Sequence, residues 1–204
     1  MPVIAERFEV ASRLERFDTN HDELLAIVEL SVRARGDATP DDPASAAGWF
    51  AYSYGTRGLR NLFLAKGWEL RRTDNIESVY NPNTGDKIVF QNAERAGDLL
   101  RDPIAISRKG PASARAVDLG QGELWPEIRK AEVREIAAPH WYLFVQADGE
   151  DVRAELSFPK AIENEKFDGF DDRIILLQKG EWQGIDLNDN DEPNLDFDVN
   201  VTRK

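Results

Sequence analysis

Cysteine is absent from this chain of 204 residues, methionine occurs once and histidine twice. Without cysteine there can be no disulfide, no thiolate metal site and no cysteine nucleophile, and a reducing, cytoplasmic setting is expected. The two histidines, His21 and His140, are far apart in sequence. Each has an ordinary reading, one as a helix first turn and the other as a strand entry. The GxSxG signature of an activated serine is missing. So is GxxxxGK[ST], the phosphate loop of many nucleotide-binding proteins. No apolar run reaches the roughly 18 residues of a membrane span. The opening MPVIAERFEV brings in acids early and has no apolar core, so a secretory signal is not expected.

Positive charge is also scarce. Lysine and arginine total 26 against 38 acids, for a net charge of −12. Much of the excess is local. Residues 161–202 hold twelve acids and three bases, a local charge of −9. Such a surface repels phosphate backbones, so generic nucleic-acid binding is disfavoured unless a separate basic patch provides it. The bases at Arg101, Arg108, Lys109 and Arg115 form one small cluster.

What the chain does have is a core. Hydrophobic residues make up 41%, with five tryptophans and ten phenylalanines, enough for a folded domain rather than a disordered chain. Residues 3–17 carry Ile4, Phe8, Ala11 and Leu14 at helical spacing. A second helix is predicted from His21 to Arg35, with Asn20 as N-cap and Glu23 at the capping-box position. The loop GDATPDDPAS separates this hairpin from the rest. An aromatic segment follows, and then a helix capped by Thr56 and closed by Gly67. Strands are predicted at Trp68–Arg71, Ile76–Asn81, Lys87–Asn92, Trp141–Ala147, Val152–Phe158, Arg173–Leu177 and Leu195–Val201. The turns Asn-Pro-Asn-Thr-Gly and Asp148-Gly149 join two pairs of them. A small-residue helix covers Ala112–Val117, and Pro126 suits the start of another.

The expected fold is therefore α+β, a mostly antiparallel sheet of about six or seven strands with N-terminal helices packed on one face. Two divisions fit the pattern. One is a helical hairpin over residues 1–36 with an α+β domain over 46–204, and the other is a single domain.

Four sets of residues could carry chemistry. Asp18, Asn20, Asp22 and Glu29 fall at calcium-loop positions, with Leu25 at the apolar one, but Glu23 stands where the loop needs glycine. The bland alternative is a capped helix whose first-turn acids suit its dipole. Arg108 and Lys109 precede a helix and, with Arg115, could hold a phosphate at its N-terminus, or simply form a solvated basic loop. Asp196 and Asp198 alternate with apolar residues on the last strand, so one face displays a carboxylate stripe to solvent or to a protein partner.

The fourth set is Asp74, Glu77 and Gln91. A helix, a strand, an acid near the second strand and a polar residue on the third resemble in outline a degenerate PD-(D/E)XK nuclease core. That resemblance implies a Mg²⁺ or Mn²⁺ ion held between neighbouring strands, activating water. The chain departs from the pattern at the catalytic lysine, because Ala93 stands where it belongs and Lys87 comes four residues before Gln91. The run Thr73-Asp74-Asn75-Ile76-Glu77, with Asn81, Asn92 and Lys109-Gly110, also resembles a set of uncharacterised bacterial proteins of similar length. That likeness implies no activity. Two functions are expected from these readings. The first is a non-catalytic bacterial interaction or regulatory protein that needs no cofactor and binds a protein partner through its acidic surface. The other is a divalent-metal-dependent phosphodiesterase.

Overall fold

The computed structural model describes residues 2–73, 75–121 and 139–182. The chain opens with a two-residue strand, β1 (Val3–Ile4), then helix α1 (Arg7–Leu14) and a 3-10 turn at Glu15–Phe17. The continuous helix expected over 3–17 is broken because Val3 and Ile4 pair in parallel with Arg173 and Ile174 at a sheet edge. Starting the helix at Arg7 rotates its buried stripe to Val10, Leu14 and Phe17, which leaves Phe8 85% exposed.

Helix α2 (His21–Gly36) begins as its sequence predicts. The Asn20 side chain accepts from the Glu23 backbone N–H at 3.0 Å, and the Glu23 carboxylate accepts from the Asn20 N–H at 3.2 Å. Glu23 also accepts from Lys66 Nζ at 2.7 Å, which ties the start of α2 to the end of the next helix. That helix, α3, runs from Ala46 to Ala65, ten residues earlier than the Thr56 cap suggested. Three glycines within it do not break it because packing overrides their weak propensity. At Gly55 the approach is close: a Cβ there would lie 2.3 Å from the Phe90 ring. The glycine lets α3 press onto the sheet.

The sheet is mixed and has eight strands. After β2 (Glu69–Thr73), β3 (Ile76–Tyr80) and β4 (Lys87–Glu94) comes β5 (Ile104–Ala105), which pairs with the end of β4. Helix α4 (Pro111–Gln121) follows, then β6 (His140–Asp148) and β7 (Asp151–Pro159). A separate small hairpin is formed by β8 (Ile162–Glu163) and β9 (Lys166–Phe167), before the last described strand, β10 (Phe170–Leu177). The order across the main sheet is β1-β10-β7-β6-β4-β3-β2. The pairs β1/β10 and β4/β6 are parallel and the other neighbours along that path are antiparallel. The parallel β4/β6 pair was not visible from the individual strands, since it requires the chain to return across a face before β6 begins.

Both faces are covered. On one, Leu24, Ile27, Val28, Leu59 and Phe63 from α2 and α3 share a core with Ile88, Phe90, Leu143, Leu156 and Ile174 from the sheet. On the other, Val117 of α4 packs with Val89, Tyr142, Phe144 and Phe170, and the small hairpin adds Ile162 and Phe167. The N-terminal helices thus sit on one face as expected, and α4 with the hairpin forms an unforeseen layer on the other. The segment between β4 and β5 accounts for Glu155 and Ser157, since Gly97 meets Glu155 directly and the Asp98 carbonyl holds its partner Arg173. Their strand alternation aims them away from the main core, yet both are fully buried. Glu155 accepts from Arg173 at 2.5 and 2.9 Å, from Ser157 at 2.7 Å and from the Gly97 N–H at 2.7 Å.

The Asn-Pro-Asn-Thr-Gly turn forms as its chemistry dictates. Asn81 Oδ1 accepts from the N–H groups of Asn83 and Thr84, and Gly85 takes a φ of 82°. The buried Asp86 that follows is gripped by Arg16 at 2.6 and 3.1 Å, which locks it to the 3-10 turn after α1. No described helix is long and apolar enough to cross a membrane. The helix expected at Pro126 and the strand expected at 195–201 lie outside the described residues.

Candidate binding site

One cavity of about 670 Å³ lies where α3, β3, β4 and the segment leading into α4 meet. Helix α3 contributes Trp49 and Tyr52, β4 contributes Gln91 and Asn92, and the segment before α4 contributes Ile106 to Lys109. Lys109 is the residue that gives this cavity its chemistry. It is only 7% exposed, and its ammonium donates to the Gln91 carboxamide oxygen. It also lies 5.7 Å from the centroid of the Tyr142 ring and 5.3 Å from that of Phe167. No carboxylate among the described residues pairs with it. Burial pushes its pKa down from 10.5 to about 8.

Gln91 is fixed in turn. Its NH₂ donates to the Asn92 carbonyl at 2.8 Å and to Ser107 Oγ at 3.2 Å, which leaves its oxygen for Lys109. A neutral acceptor at this point orients the ammonium without cancelling its charge, whereas a glutamate would have closed an ion pair. Tyr142 adds an unused donor. It is 1% exposed, lines the cavity, and its hydroxyl has no hydrogen-bond partner among the described residues. Burial raises the pKa of this phenol, and of Tyr52 as well, so both stay protonated. At the rim, Trp49 is 64% exposed and Ile106 62% exposed. The cavity therefore offers one desolvated cation and a hydroxyl donor inside, with an aromatic ring at the mouth.

The structure separates residues that the sequence had grouped. Asp74 lies outside the described residues, although its neighbour Asn75 lines the cavity. Glu77 lines it too, but its carboxylate is held by Arg60 and, at 3.1 Å, by Arg72. Ser78 pairs with Val89, so Glu77 falls on the α3 face of the sheet with Phe90, while Gln91 faces α4. Glu77 and Gln91 thus do not converge on one ion. Among the described residues no group of three His, Asp or Glu side chains could hold a metal.

Asp18, Asn20, Asp22 and Glu29 are not arranged as a loop. Helix α2 starts at His21, Asn20 is engaged as its cap, and Glu29 is exposed two turns into the helix. Arg108 is exposed and meets Glu165 at 3.2 Å, and Arg115 is exposed on α4. Only Lys109 of that basic trio turns inward. Asp196 and Asp198 lie outside the described residues. Sequence reasoning missed Tyr142 altogether and noted Trp49 and Tyr52 only as part of an aromatic run. Tyr142 reads as one apolar residue in a buried strand, and no local signal links it to Lys109. In comparisons with known proteins, no family model, no curated protein and no solved structure matches the chain.

Proposed function

We propose that this protein is a non-catalytic binding protein whose ligand places an anionic group of the phosphate type on Lys109. The observation that supports this most is a buried ammonium with no carboxylate partner among the described residues, opening onto a cavity of small-molecule size. Burying a lone cation is costly unless something compensates for it. An incoming anion removes that cost, gains the charge-assisted bond, and can take the idle Tyr142 hydroxyl as a second donor. The exposed Trp49 at the rim suits a planar group attached to that anion.

The direct test is thermal melting and calorimetry with pyrophosphate and nucleoside monophosphates, on the wild type, Lys109→Met and Lys109→Arg. A ligand at a hundred times its dissociation constant adds about 2.7 kcal/mol of stability, which a melt resolves. The expected result is a shift in the wild type that Lys109→Met abolishes and Lys109→Arg partly keeps. Shifts that are absent, or indifferent to Lys109, would sink this reading.

A phosphodiesterase remains the second reading, favoured by the helix-then-three-strands order of α3, β2, β3 and β4. The described residues do not fit its metal, since Glu77 is paired to arginines on the other face. A melt shift with Mn²⁺ or Mg²⁺, abolished by Asp74→Ala, would move the assignment to this enzyme. Partner binding through Asp196 and Asp198 keeps its own test: charge reversal at both should weaken a protein complex co-purified from the native host.

A further inference from the structure

Lys109 has a second chemistry, carried by its neutral form. Its backbone is pinned, since the Lys109 N–H donates to the Glu165 carbonyl at 2.9 Å. Its side chain passes the Tyr142 and Phe167 rings and ends at the Gln91 carboxamide. An amine has to lose a proton before its nitrogen can attack a carbon, and a carboxylate beside it opposes that loss. The carboxylates on the surrounding elements are engaged or face solvent. Glu165 meets Arg108 at 3.2 Å, and Glu77 is held by Arg60 and Arg72 on the other face of the sheet. Glu163 and Lys166 on the small hairpin, and Arg115 and Asp118 on α4, are exposed. Arg35 and Arg108, the other bases lining the cavity, disfavour a further positive charge there. Burial lowers the Lys109 pKa to about 8, so near neutral pH an appreciable fraction of molecules carries the free amine.

We infer that Lys109 captures aldehydes with an aromatic or apolar body as an imine, with the Tyr142 hydroxyl donating to the carbonyl oxygen during attack. The amine nitrogen bonds to the carbonyl carbon, and the oxygen becomes the hydroxyl of a carbinolamine. Loss of that hydroxyl forms the C=N bond. The two amine hydrogens leave with the oxygen as water, and nothing is oxidised or reduced. Hydrolysis reverses the step, so the capture is reversible. The walls argue for the substrate class, because Trp49, Tyr52, Val89 and Ile106 line the space with Lys109, and about 670 Å³ has room for a ring. Tyr142 lines it too, and its buried hydroxyl has no partner among the described residues. A donor already in place in a dry site stabilises an oxygen that gains negative charge. This inference goes beyond the anion reading and does not rest on it, since an anion takes the ammonium and an aldehyde takes the amine.

The test is incubation of the native protein with benzaldehyde and cyanoborohydride near neutral pH, which reduces any imine to a stable benzylamine, followed by peptide mass mapping. Lys160 and Lys179 are exposed and serve as internal standards. The expected result is benzylation of Lys109 roughly tenfold faster than of either standard, because an amine of lower pKa is free for more of the time. The preference should vanish in urea-unfolded protein, and one that persists there would overturn the inference. Acetaldehyde, which fills little of the cavity, should show a smaller preference for Lys109. Tyr142→Phe should slow benzylation of Lys109 severalfold and leave the standards unchanged, and an unchanged Lys109 rate would overturn the role given to Tyr142. Lys109→Arg should lose the adduct at this position while keeping part of the melting shift with pyrophosphate. Benzylation that spares Lys109, in a protein that pyrophosphate still stabilises, would overturn this inference alone. Preferential benzylation of Lys109 with no pyrophosphate shift would support it and overturn the anion reading alone.

Discussion

Lys109 makes stability depend on pH in a way that can be worked out in advance. Its pKa is 10.5 in the unfolded chain and about 8 in the fold, lowered by burial. Below pH 8 the ammonium is charged in both states, and the folded state bears the full cost of keeping it out of water. Between pH 8 and 10.5 the unfolded chain still holds a proton that the folded state has released. Stability therefore rises with pH across that window, by at most about 1.4 kcal/mol per unit. Over the whole window the gain is about 3 kcal/mol. The perturbation is Lys109→Met, which keeps length and removes the charge. The assay is urea unfolding of both proteins from pH 7 to 10.5 in a phosphate-free buffer. The variant should be more stable relative to wild type at pH 7 than at pH 10, by about 2–3 kcal/mol. Comparing the two proteins at each pH cancels groups remote from Lys109, and burial keeps the neighbouring Tyr142 protonated through the window. A difference that stays flat across the window would refute the claim that Lys109 is buried and uncompensated. Bound pyrophosphate should flatten the profile, because an anion beside the buried ammonium offsets its desolvation and draws its pKa back up toward 10.5.

Other predictions concern the scaffold. Gly55→Ala drives a methyl group into the fully buried Phe90 ring, and should cost about 1–3 kcal/mol by denaturant unfolding, with Phe90→Leu recovering part of it. Glu155→Ala takes the buried carboxylate from Arg173, leaving it only Asp102 at 3.4 Å and the Asp98 carbonyl at 2.9 Å, and should cost about 3–5 kcal/mol; replacing both as Glu155→Leu with Arg173→Met should restore much of the loss. Asp86→Asn leaves Arg16 without its charged partner, and should lower the melting temperature by a few degrees without changing anion affinity, since neither residue touches the cavity.

The parts of the fold set by local chemistry were legible in the sequence. Asn20 and Glu23 specify a helix start within three residues, and Asn81 to Gly85 specify a turn, so both could be placed without knowing anything distant. Helix α3 was misplaced at its start because Gly48 and Gly55 look like breakers until the sheet they press against is known. The hairpin β8–β9 went unseen because its loop is Asn164-Glu165 with φ values of 49° and 64°, a left-handed pair without the glycine that usually announces it. For the site, the sequence offered Lys109, Gln91 and Glu77 but not their sides. Those follow from strand register, which puts Glu77 with Phe90 and turns Gln91 toward α4. Lys109 also read as a solvated loop residue, since neither its burial against Tyr142 nor its contact with Phe167 has a local signature.

The parallel pairing of β4 with β6 also has a kinetic consequence. Lys87 finds His140 only after the intervening chain has looped back, so this ladder carries a large closure entropy and should form late in folding. Lys109, Ile106 and α4 all ride on that intervening chain, and Tyr142 sits on the strand that closes it. The cavity therefore has no floor until this long-range pairing is made. A partly folded chain with α2, α3 and the β2–β4 meander in place but β6 unpaired would lack the proposed anion site, and ligand affinity should appear in refolding only with the phase that pairs β4 with β6.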